Sequence, residues 1–403
     1  MHIISQKLKT IKPSPTLAVT QKANELRTQG KKIISLSVGE PDFDTPSNIK
    51  LAAIEAINKG YTKYTNVDGI TPLKQAIIEK FKTENSIEYE LSEIIVSSGG
   101  KQVLYNLFMA SLNEGDEVII PAPFWVSYPD MVLLAGGKPV IIDCPIENGF
   151  KLTSLQLACA ITQKTKWFII NSPSNPTGAA YTKAELSALS EVLKQNPHVN
   201  ILTDDIYEHI LFEEFRFFNI INACPELKKR SFIVNGVSKA YSMTGWRIGY
   251  GAGDRELVKA MNLIQSQSTS NPCSISQYAA LEALTGPQAF IKPNALEFEK
   301  KRDLVVKIFN EIEGIECHKP EGAFYIFPSC SRLIGRLDPH GNPIGNSNDF
   351  ANFLLEFAEV AVVPGIAFGM DGYFRVSTAT SIEILTQASN RIKKACTMLK
   401  RNL

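Results

Sequence analysis

A lysine and an arginine in the segment 238–247, Ser-Lys-Ala-Tyr-Ser-Met-Thr-Gly-Trp-Arg, are the first residues of this sequence that suggest chemistry. The segment follows an apolar run at 232–235. A lysine in a poorly solvated pocket loses its proton more readily, and Schiff-base chemistry requires the neutral amine. Lys239 is therefore a candidate for such chemistry. The alternative is a solvated lysine, with the stem of Arg247 lying along the surface and its charge in water.

Two aspartates and a tyrosine follow a second apolar run, in the segment 201–207 with the sequence ILTDDIY. A carboxylate at the end of a buried strand is costly unless it has a partner. If the chain turns helically after Asp204, Tyr207 lies on the same side and Asp205 points away. Either aspartate could instead cap a helix, and the residue types alone do not choose between them.

Three further segments could bind anions or a ligand. Ser-Ser-Gly-Gly-Lys at 97–101 forms a glycine turn from a strand into a helix, where bare N–H groups can hold an anion. Asn175 lies in Asn-Ser-Pro-Ser-Asn-Pro-Thr-Gly at 171–178, after a strand, where open α/β sheets bind ligands. Arg375, in an otherwise apolar run at 374–377, suits a bidentate carboxylate clamp. The competing interpretation of the first two segments is an ordinary turn, and that of Arg375 is a structural ion pair.

These residues need a framework that brings their strand ends together. Apolar runs without alternation predict strands at 93–97, 117–121, 138–143, 166–171, 199–204, 231–235 and 247–252. Helices are predicted between them at 47–59, 71–83, 101–112, 124–135, 182–195 and 254–268. This order is typical of an α/β fold with an open, mostly parallel sheet flanked by helices.

The pattern changes after residue 287. A long amphipathic helix at 291–313, a helix at 348–358, strands at 360–363 and 373–377, and a helix at 381–400 predict a smaller α+β domain. We expect an irregular arm at 1–46 that completes the small domain, a large domain at 47–287, and the small C-terminal domain at 288–403.

Composition excludes several classes of protein. Lys and Arg total 42 against 41 Asp and Glu, a net charge of +1, without the basic concentration that nucleic acids or membrane surfaces require. The seven cysteines are scattered without a C-x-x-C pair, and the five histidines lack ligand spacing, so neither disulfides nor a metal site are expected. With no apolar stretch long enough to span a bilayer, the sequence predicts a cytoplasmic globular protein.

Taken together and in this order, the motifs resemble those of the fold-type-I, pyridoxal-phosphate-dependent class I aminotransferases, and most closely the bacterial aspartate/prephenate subgroup. The resemblance runs from residue 12 to the end of the chain. It implies a seven-stranded type of sheet in the large domain, a pyridoxal 5'-phosphate cofactor, and a homodimer. It also implies ping-pong transfer of an amino group between an L-amino acid, aspartate or glutamate, and a 2-oxo acid such as prephenate.

The resemblance implies three catalytic residues. Lys239 matches the lysine that forms the Schiff base with the cofactor and moves the proton at the substrate Cα. Asp204 matches the carboxylate paired with the pyridinium nitrogen, and Tyr207 a group that binds the 3'-oxygen of the ring. Asn175 also matches a ligand of the 3'-oxygen, and Trp125, otherwise expected in the core, matches the aromatic residue stacked on the ring.

The remaining binding residues follow from the same resemblance. The cofactor phosphate would lie on Gly99, Gly100, Lys101, Ser238 and Arg247, together with Tyr64 of the neighbouring subunit. The substrate carboxylate would bind Arg375, Asn175 and the Gly39 N–H, with Trp125 at the ring, and Lys12 would bind a distal carboxylate. One position departs from the family, because Gly236 stands where many members have a phosphate-binding serine three residues before the lysine.

Three other functions share parts of this pattern. A pyridoxal-phosphate-dependent lyase of the carbon–sulfur β-lyase type would share Lys239, Asp204, Tyr207 and Arg375, and would release pyruvate and ammonia without a 2-oxo acid. A cofactor-binding regulator of another class would need a DNA-binding appendage, which is not visible. A nicotinamide-dependent dehydrogenase is excluded by the missing dinucleotide fingerprint.

Overall fold

The computed structural model describes residues 3–11 and 15–401. Over these residues the strands are β1 (Ile34–Ser35), β2 (Ile94–Ser97), β3 (Glu117–Ala122), β4 (Lys138–Asp143), β5 (Thr165–Asn171), β6 (Asn200–Asp204), β7 (Ser231–Gly236), β8 (Gly249–Ala252), β9 (Tyr325–Ile326), β10 (Val360–Ala361), β11 (Val363–Pro364) and β12 (Phe374–Ser377). The α-helices are α1 (Pro15–Thr28), α2 (Ser47–Asn58), α3 (Thr71–Asn85), α4 (Gly100–Ser111), α5 (Ser127–Leu134), α6 (Ser154–Ala160), α7 (Lys183–Gln195), α8 (Ile220–Ala223), α9 (Arg255–Ser268), α10 (Ser274–Thr285), α11 (Ile291–Asn310), α12 (Ser347–Phe353) and α13 (Ile382–Cys396).

Seven strands form the central sheet, in the order β2-β8-β7-β6-β5-β3-β4. Every neighbouring pair is parallel except the two that involve β8, so one strand runs against the other six. The parallel strands β5, β6 and β7 lie side by side, with Asn171 paired to Asp204 and Asp204 to Val234. The predicted mostly parallel seven-stranded α/β sheet is therefore confirmed, and the polar residues at these strand ends share one edge.

The apolar composition of these strands follows from burial on both faces. One face packs with Ile119, Phe168 and Ile201 in a large apolar cluster, and the other packs with Val118, Ile169 and Leu202 in a second cluster. Adjacent residues of one strand thus enter opposite layers, which is why the strands lack a polar–apolar alternation.

A second core joins the two ends of the chain. Strand β1 pairs in parallel with β10, while β12 lies between β11 and β9 in a separate antiparallel sheet. Leu36 packs there with residues of α11, α12 and α13, including Phe309, Phe350 and Leu385. The N-terminal segment therefore contributes to the C-terminal core, while the domain limits at 46 and 287 stay predictions.

Several expected elements were wrong. The supposedly irregular arm contains helix α1, and helix α10 was missed. Helix α10 buries Ser274, Ser276 and Gln277 together with alanines, so polar residues interrupt its apolar periodicity. The expected strand at 360–363 is two strands, β10 and β11, that pair in different sheets.

Two other boundaries differ near the ends of elements. The expected helix at 348–358 ends its α-helical part at Phe353 and continues as a π-helical turn, Leu354–Ala358. Strand β8 begins at Gly249 because Arg247 adopts a left-handed backbone conformation with φ 58°. None of the described helices combines the length and apolar character needed to cross a bilayer.

Candidate active site

A cavity of about 440 Å³ lies at the carboxyl ends of β5, β6 and β7. The predicted site residues that line it are Gly39, Gly100, Lys101, Trp125, Asn175, Asp204, Tyr207, Ser238, Lys239, Arg247 and Arg375. Gly99 lies directly before this wall and contacts Arg247 rather than the cavity. The fold thus brings together residues separated by more than 300 positions in the chain.

Tyr64 and Lys12 are the two remaining predicted site residues. Tyr64 is 91% exposed and lies outside the cavity of its own chain. Lys12 lies outside the described residues.

Lys239 occupies the turn after β7, half-buried in the cavity wall. Its Nζ donates a hydrogen bond to the Gly39 carbonyl oxygen at 2.7 Å and lies 5.8 Å from the centre of the Tyr207 ring. Burial and the nearby Arg375 guanidinium together lower the pKa of Lys239 to about 8, against weaker opposing charges. The amine is therefore poised to exist in its neutral, nucleophilic form near neutral pH.

Asp204 ends β6, where its buried carboxylate borders the cavity. Its Oδ2 accepts a hydrogen bond of 2.6 Å from the Tyr128 hydroxyl, and its Oδ1 a longer one of 3.4 Å from the Ile206 N–H. Burial raises the pKa of Asp204 to about 6, and the Tyr128 hydrogen bond opposes this rise.

Asp205 points away from the cavity, as expected for a chain that turns after β6. Its carboxyl accepts hydrogen bonds from the Thr203 hydroxyl and the Asn219 side-chain amide. Burial and the nearby Glu208 raise the pKa of Asp205 to about 8. The structure thereby distinguishes the two aspartates that residue types alone did not, and Asp204 is the one that faces the cavity.

A buried arginine forms the opposite side of the polar set. Arg375, 3% exposed, donates from Nη1 to the Asn175 Oδ1 at 2.9 Å and from Nη2 to the Ser37 carbonyl oxygen. Its guanidinium lies 4.6 Å from the Tyr325 ring centre. The Nε of Arg375 is buried without a hydrogen-bond partner among the described residues, and the two hydrogen bonds above engage only two of the five N–H donors of the guanidinium.

The amino end of α4 forms a cationic cradle. The first N–H groups of a helix have no acceptor within it, and here they begin at Gly100. The backbone of Gly99 has a φ of 90°, which favours glycine, and a Cβ there would lie only 2.3 Å from the Arg247 Nη2, so a side chain would displace the guanidinium from this position. Lys101 lies over the Trp125 ring at 4.9 Å, and burial, with a contribution from Arg247, lowers its pKa. This arrangement suits an anion.

The departure at Gly236 has a packing reason. A Cβ at this position would lie 3.0 Å from both the Gly249 Cα and the Ile248 carbonyl oxygen, because β7 and β8 approach closely here. Gly236 also does not line the cavity. A serine would require the neighbouring backbone to shift by a few tenths of an ångström, so the close approach of the two strands favours glycine at this position.

Two tyrosines of the cavity wall were not predicted from the sequence as site residues. Tyr128 lies three positions after Trp125 in the first turn of α5, and Tyr325 lies in the apolar run of β9. The Tyr325 hydroxyl is 2.9 Å from that of Tyr207. Both tyrosines were indistinguishable from core aromatics, because only the tertiary structure shows that their hydroxyls meet Asp204 and Tyr207.

Comparison with known proteins agrees with this geometry. The family model described as "Aminotransferase class I and II" matches residues 31–392. The chain is 64% identical over 396 residues to the "Probable aspartate/prephenate aminotransferase" of Rickettsia felis, covering 98% of this chain and 97% of that protein. It is 58% identical to the "Aspartate/prephenate aminotransferase" of Cereibacter sphaeroides, covering 98% of this chain and 99% of that one.

Solved structures give the same result. The aspartate aminotransferase of Rhizobium meliloti superposes with a TM-score of 0.97 at 51% identity, covering 99% of this chain and 100% of that one. The aspartate aminotransferase of Thermus thermophilus with maleate gives a TM-score of 0.92 at 41% identity, covering 98% and 100%. The family expected from the motifs is confirmed, and the chain belongs to the class I and II aminotransferases.

Proposed function

We propose that this aminotransferase uses pyridoxal 5'-phosphate to move an amino group between a dicarboxylic amino acid and a 2-oxo acid. The observation that carries the proposal is the presence, in one cavity, of the Lys239 amine with its lowered pKa, the buried Asp204 carboxylate and the buried Arg375 guanidinium. An aldehyde-bearing, phosphorylated pyridine matches these groups: an amine for the aldehyde, a carboxylate for the ring nitrogen, and a cationic helix start for the phosphate.

Pyridoxal phosphate, when bound, supplies an electron sink for the negative charge that remains after a proton leaves the substrate Cα. Lys239 would hold the aldehyde group and, once the substrate amine has taken its place there, its freed amine would remove and return that proton, because this amine is neutral in a substantial fraction near pH 8. Asp204 holds a proton at the ring nitrogen, which a carboxylate with a pKa of about 6 can do in its charged form at neutral pH.

The remaining cavity residues orient the reactants. Tyr207 and Asn175 are suited to bind the 3'-oxygen of the ring, and Trp125 to cover its face. Gly99, Gly100, Lys101, Ser238 and Arg247 form the phosphate cradle in this proposal. Arg375, assisted by Asn175 and the Gly39 N–H, binds the substrate α-carboxylate, since a guanidinium matches a carboxylate in a two-point geometry.

The proposed reaction is tested on the purified protein loaded with pyridoxal phosphate. We expect the visible absorption band of lysine-bound cofactor to convert to that of the pyridoxamine form when aspartate or glutamate is added, and a 2-oxo acid such as prephenate to reverse it. Lys239→Ala is the matched control and should show no such band. Accumulation of pyruvate and ammonia without a 2-oxo acid would instead identify a lyase.

Aspartate and prephenate are proposed as substrates because the relatives of high identity carry those names, and glutamate is proposed as the other dicarboxylic amino donor. A dicarboxylate requires a second cation, for which we propose Lys12. Lys12→Ala is expected to raise KM for aspartate at least about ten-fold, because one hydrogen bond to a charged group is lost. KM for alanine or phenylalanine should change little, since neither has a distal carboxylate. Equal effects on all three amino donors, measured by steady-state kinetics, would remove Lys12 from this role.

We further propose a homodimer in which Tyr64 contributes to the phosphate site of the neighbouring protomer. Its 91% exposure in a single chain supports this assignment, because the side chain is free to reach across an interface. Mixing inactive Lys239→Ala protein with Tyr64→Ala protein at limiting cofactor should restore activity to about a quarter of wild type, because half of the dimers regain one intact site. No recovery after subunit exchange would contradict a shared site. The cytoplasm remains the proposed compartment, because scattered cysteines without a disulfide pattern suit a reducing environment.

A further inference from the structure

Tyr128 makes the shortest side-chain contact to the Asp204 carboxylate. Helix α5 begins at Ser127 and places the Tyr128 ring beneath the end of β6, where it is 1% exposed. Its hydroxyl donates to the Asp204 Oδ2 at 2.6 Å. The Trp125 ring meets it edge-on, with ring centres 5.3 Å apart, which fixes the orientation of the phenol.

The direction of this hydrogen bond is determined by the surroundings of the phenol. Burial raises the pKa of Tyr128 well above its usual value, and the neighbouring carboxylate raises it further. The phenol therefore keeps its proton across the physiological range and always acts as the donor. A donor of this kind stabilises the charged form of its acceptor, which is the Asp204 carboxylate.

No other hydrogen bond to the Asp204 carboxylate among the described residues stabilises its charged form as strongly. The second partner of the Asp204 carboxylate is the Ile206 N–H at 3.4 Å, a distance at which hydrogen bonds are weak. Burial acts in the opposite direction and favours the neutral acid, while the positive charge of Lys239 contributes less than the Tyr128 hydrogen bond in favour of the carboxylate. An Asp204 that kept its own proton could not accept one shared with a ring nitrogen, so the charge of this carboxylate depends chiefly on the Tyr128 hydroxyl.

We propose that Tyr128 is a positioning residue of the transamination reaction, because its hydroxyl holds Asp204 as a charged, oriented carboxylate ready to pair with the ring nitrogen of the cofactor. This inference rests on the proposed function, since it requires Asp204 to meet that nitrogen. Tyr128 acts through Asp204, and its removal should therefore change the properties of the carboxylate and leave the amino-donor site intact.

The test is the affinity of cofactor-free protein for pyridoxal phosphate, measured by quenching of tryptophan fluorescence between pH 6 and 9. Loss of one hydrogen bond to a charged group predicts about ten-fold weaker binding by Tyr128→Phe near pH 7. The deficit should shrink as the pH rises, because Asp204 then loses its proton without assistance. In the loaded enzyme, kcat should fall about ten-fold while KM for the amino donor changes little.

Tyr181→Phe is the matched control. Tyr181 is also a buried tyrosine, 5% exposed, but its hydroxyl accepts a hydrogen bond from the Leu152 N–H and lies outside the active-site cavity. The same atom is removed at similar burial, so this variant should lower the melting temperature and leave the pH dependence of cofactor binding unchanged.

A double-mutant cycle with Asp204→Asn separates positioning from a general structural role. In the Asp204→Asn background, Tyr128→Phe should weaken binding less than about two-fold, because the charge that it serves is already gone. A deficit that is equal at every pH, a deficit that persists in the Asp204→Asn background, or a Tyr128→Phe protein that does not fold would each overturn the proposal. If wild type bound the cofactor but Tyr128→Phe were indistinguishable from it, this inference alone would fail. If wild type bound none, the proposed function would fail first.

Discussion

Two polar clusters lie close together near the ends of β6 and β7, and they differ in how completely their charged groups are paired. In the cavity, Lys239 has a backbone carbonyl as its hydrogen-bond partner, and Arg375 retains an unpartnered Nε. Behind β6, Lys80 and Glu208, with side chains 2% and 4% exposed, form a buried ion pair. In the second cluster, which we call the closed cluster, the charged groups pair with each other. In the first, neither the Lys239 amine nor the Arg375 guanidinium forms an ion pair among the described residues.

In the closed cluster, Lys80 and Glu208 each have further hydrogen-bond partners besides one another. Lys80 also donates to the Asn85 Oδ1 at 2.8 Å, and Glu208 accepts from the Asn85 and Asn235 side-chain amides at 2.8 Å and 2.6 Å. Burial alone would raise the pKa of Glu208, but Lys80 and His209 outweigh burial and lower it to about 2. Complete pairing keeps a buried charge ionised and stable, whereas incomplete pairing shifts the pKa of Lys239 toward the working pH.

The largest expected difference between the clusters is between their lysines. Lys239→Ala should slow the half-reaction by about 10⁴-fold, the upper range for loss of a general base, while the melting temperature stays near that of wild type. Lys80→Met should instead lower the free energy of unfolding by about 3–5 kcal/mol, because Glu208 is left buried without its cation. Stopped-flow absorbance and thermal melting measure the two effects. A stability loss in Lys239→Ala as large as in Lys80→Met would remove the distinction between the clusters.

The neighbouring aspartates provide the second comparison. Asp204→Asn should slow the half-reaction by about 10³-fold, because a neutral amide no longer stabilises charge at the ring nitrogen. Asp205→Asn is the control and should be mild, since its carboxyl, with a pKa of about 8, is largely neutral at pH 7.

Asparagine is the better control replacement at Asp205. Alanine would leave the Thr203 hydroxyl and the Asn219 amide without their acceptor. Near-normal half-reaction rates in Asp204→Asn, measured in single turnover, would show that the wrong aspartate was assigned.

The smallest expected effect is the pH dependence of cofactor attachment. Only the neutral amine attacks the aldehyde, and a pKa of about 8 for Lys239 leaves about a tenth of the amines neutral at pH 7. The initial rate of attachment to cofactor-free protein should therefore rise about ten-fold from pH 6 to pH 7 and level off above pH 8. A rate that still rose beyond pH 9.5 would show that the amine is solvated like an ordinary surface lysine.

The sequence predicted the main elements of the fold closely where burial is uniform. Strands β2 to β8 differ from their expected limits by no more than two residues, because continuous apolar runs between turn residues leave little choice of structure. Prediction was weaker where tertiary packing overrides pattern. Helix α10 buries polar side chains, and at Val362 the chain passes from the sheet that contains β10 to the sheet that contains β11.

Local segments of the sequence by themselves determined the kinds of chemical groups and their order: a lysine after one strand, aspartates after another, a glycine turn, and an arginine near the end. The tertiary structure decided which of them meet. The contact between Asn175 and Arg375, 200 positions apart, the cavity-facing orientation of Asp204 and the hydrogen bond from Tyr128 all depend on how strand ends align at one edge. Side-chain direction after a strand is set by the turn and by packing across the sheet, and these long-range contacts are absent from any local pattern of residues.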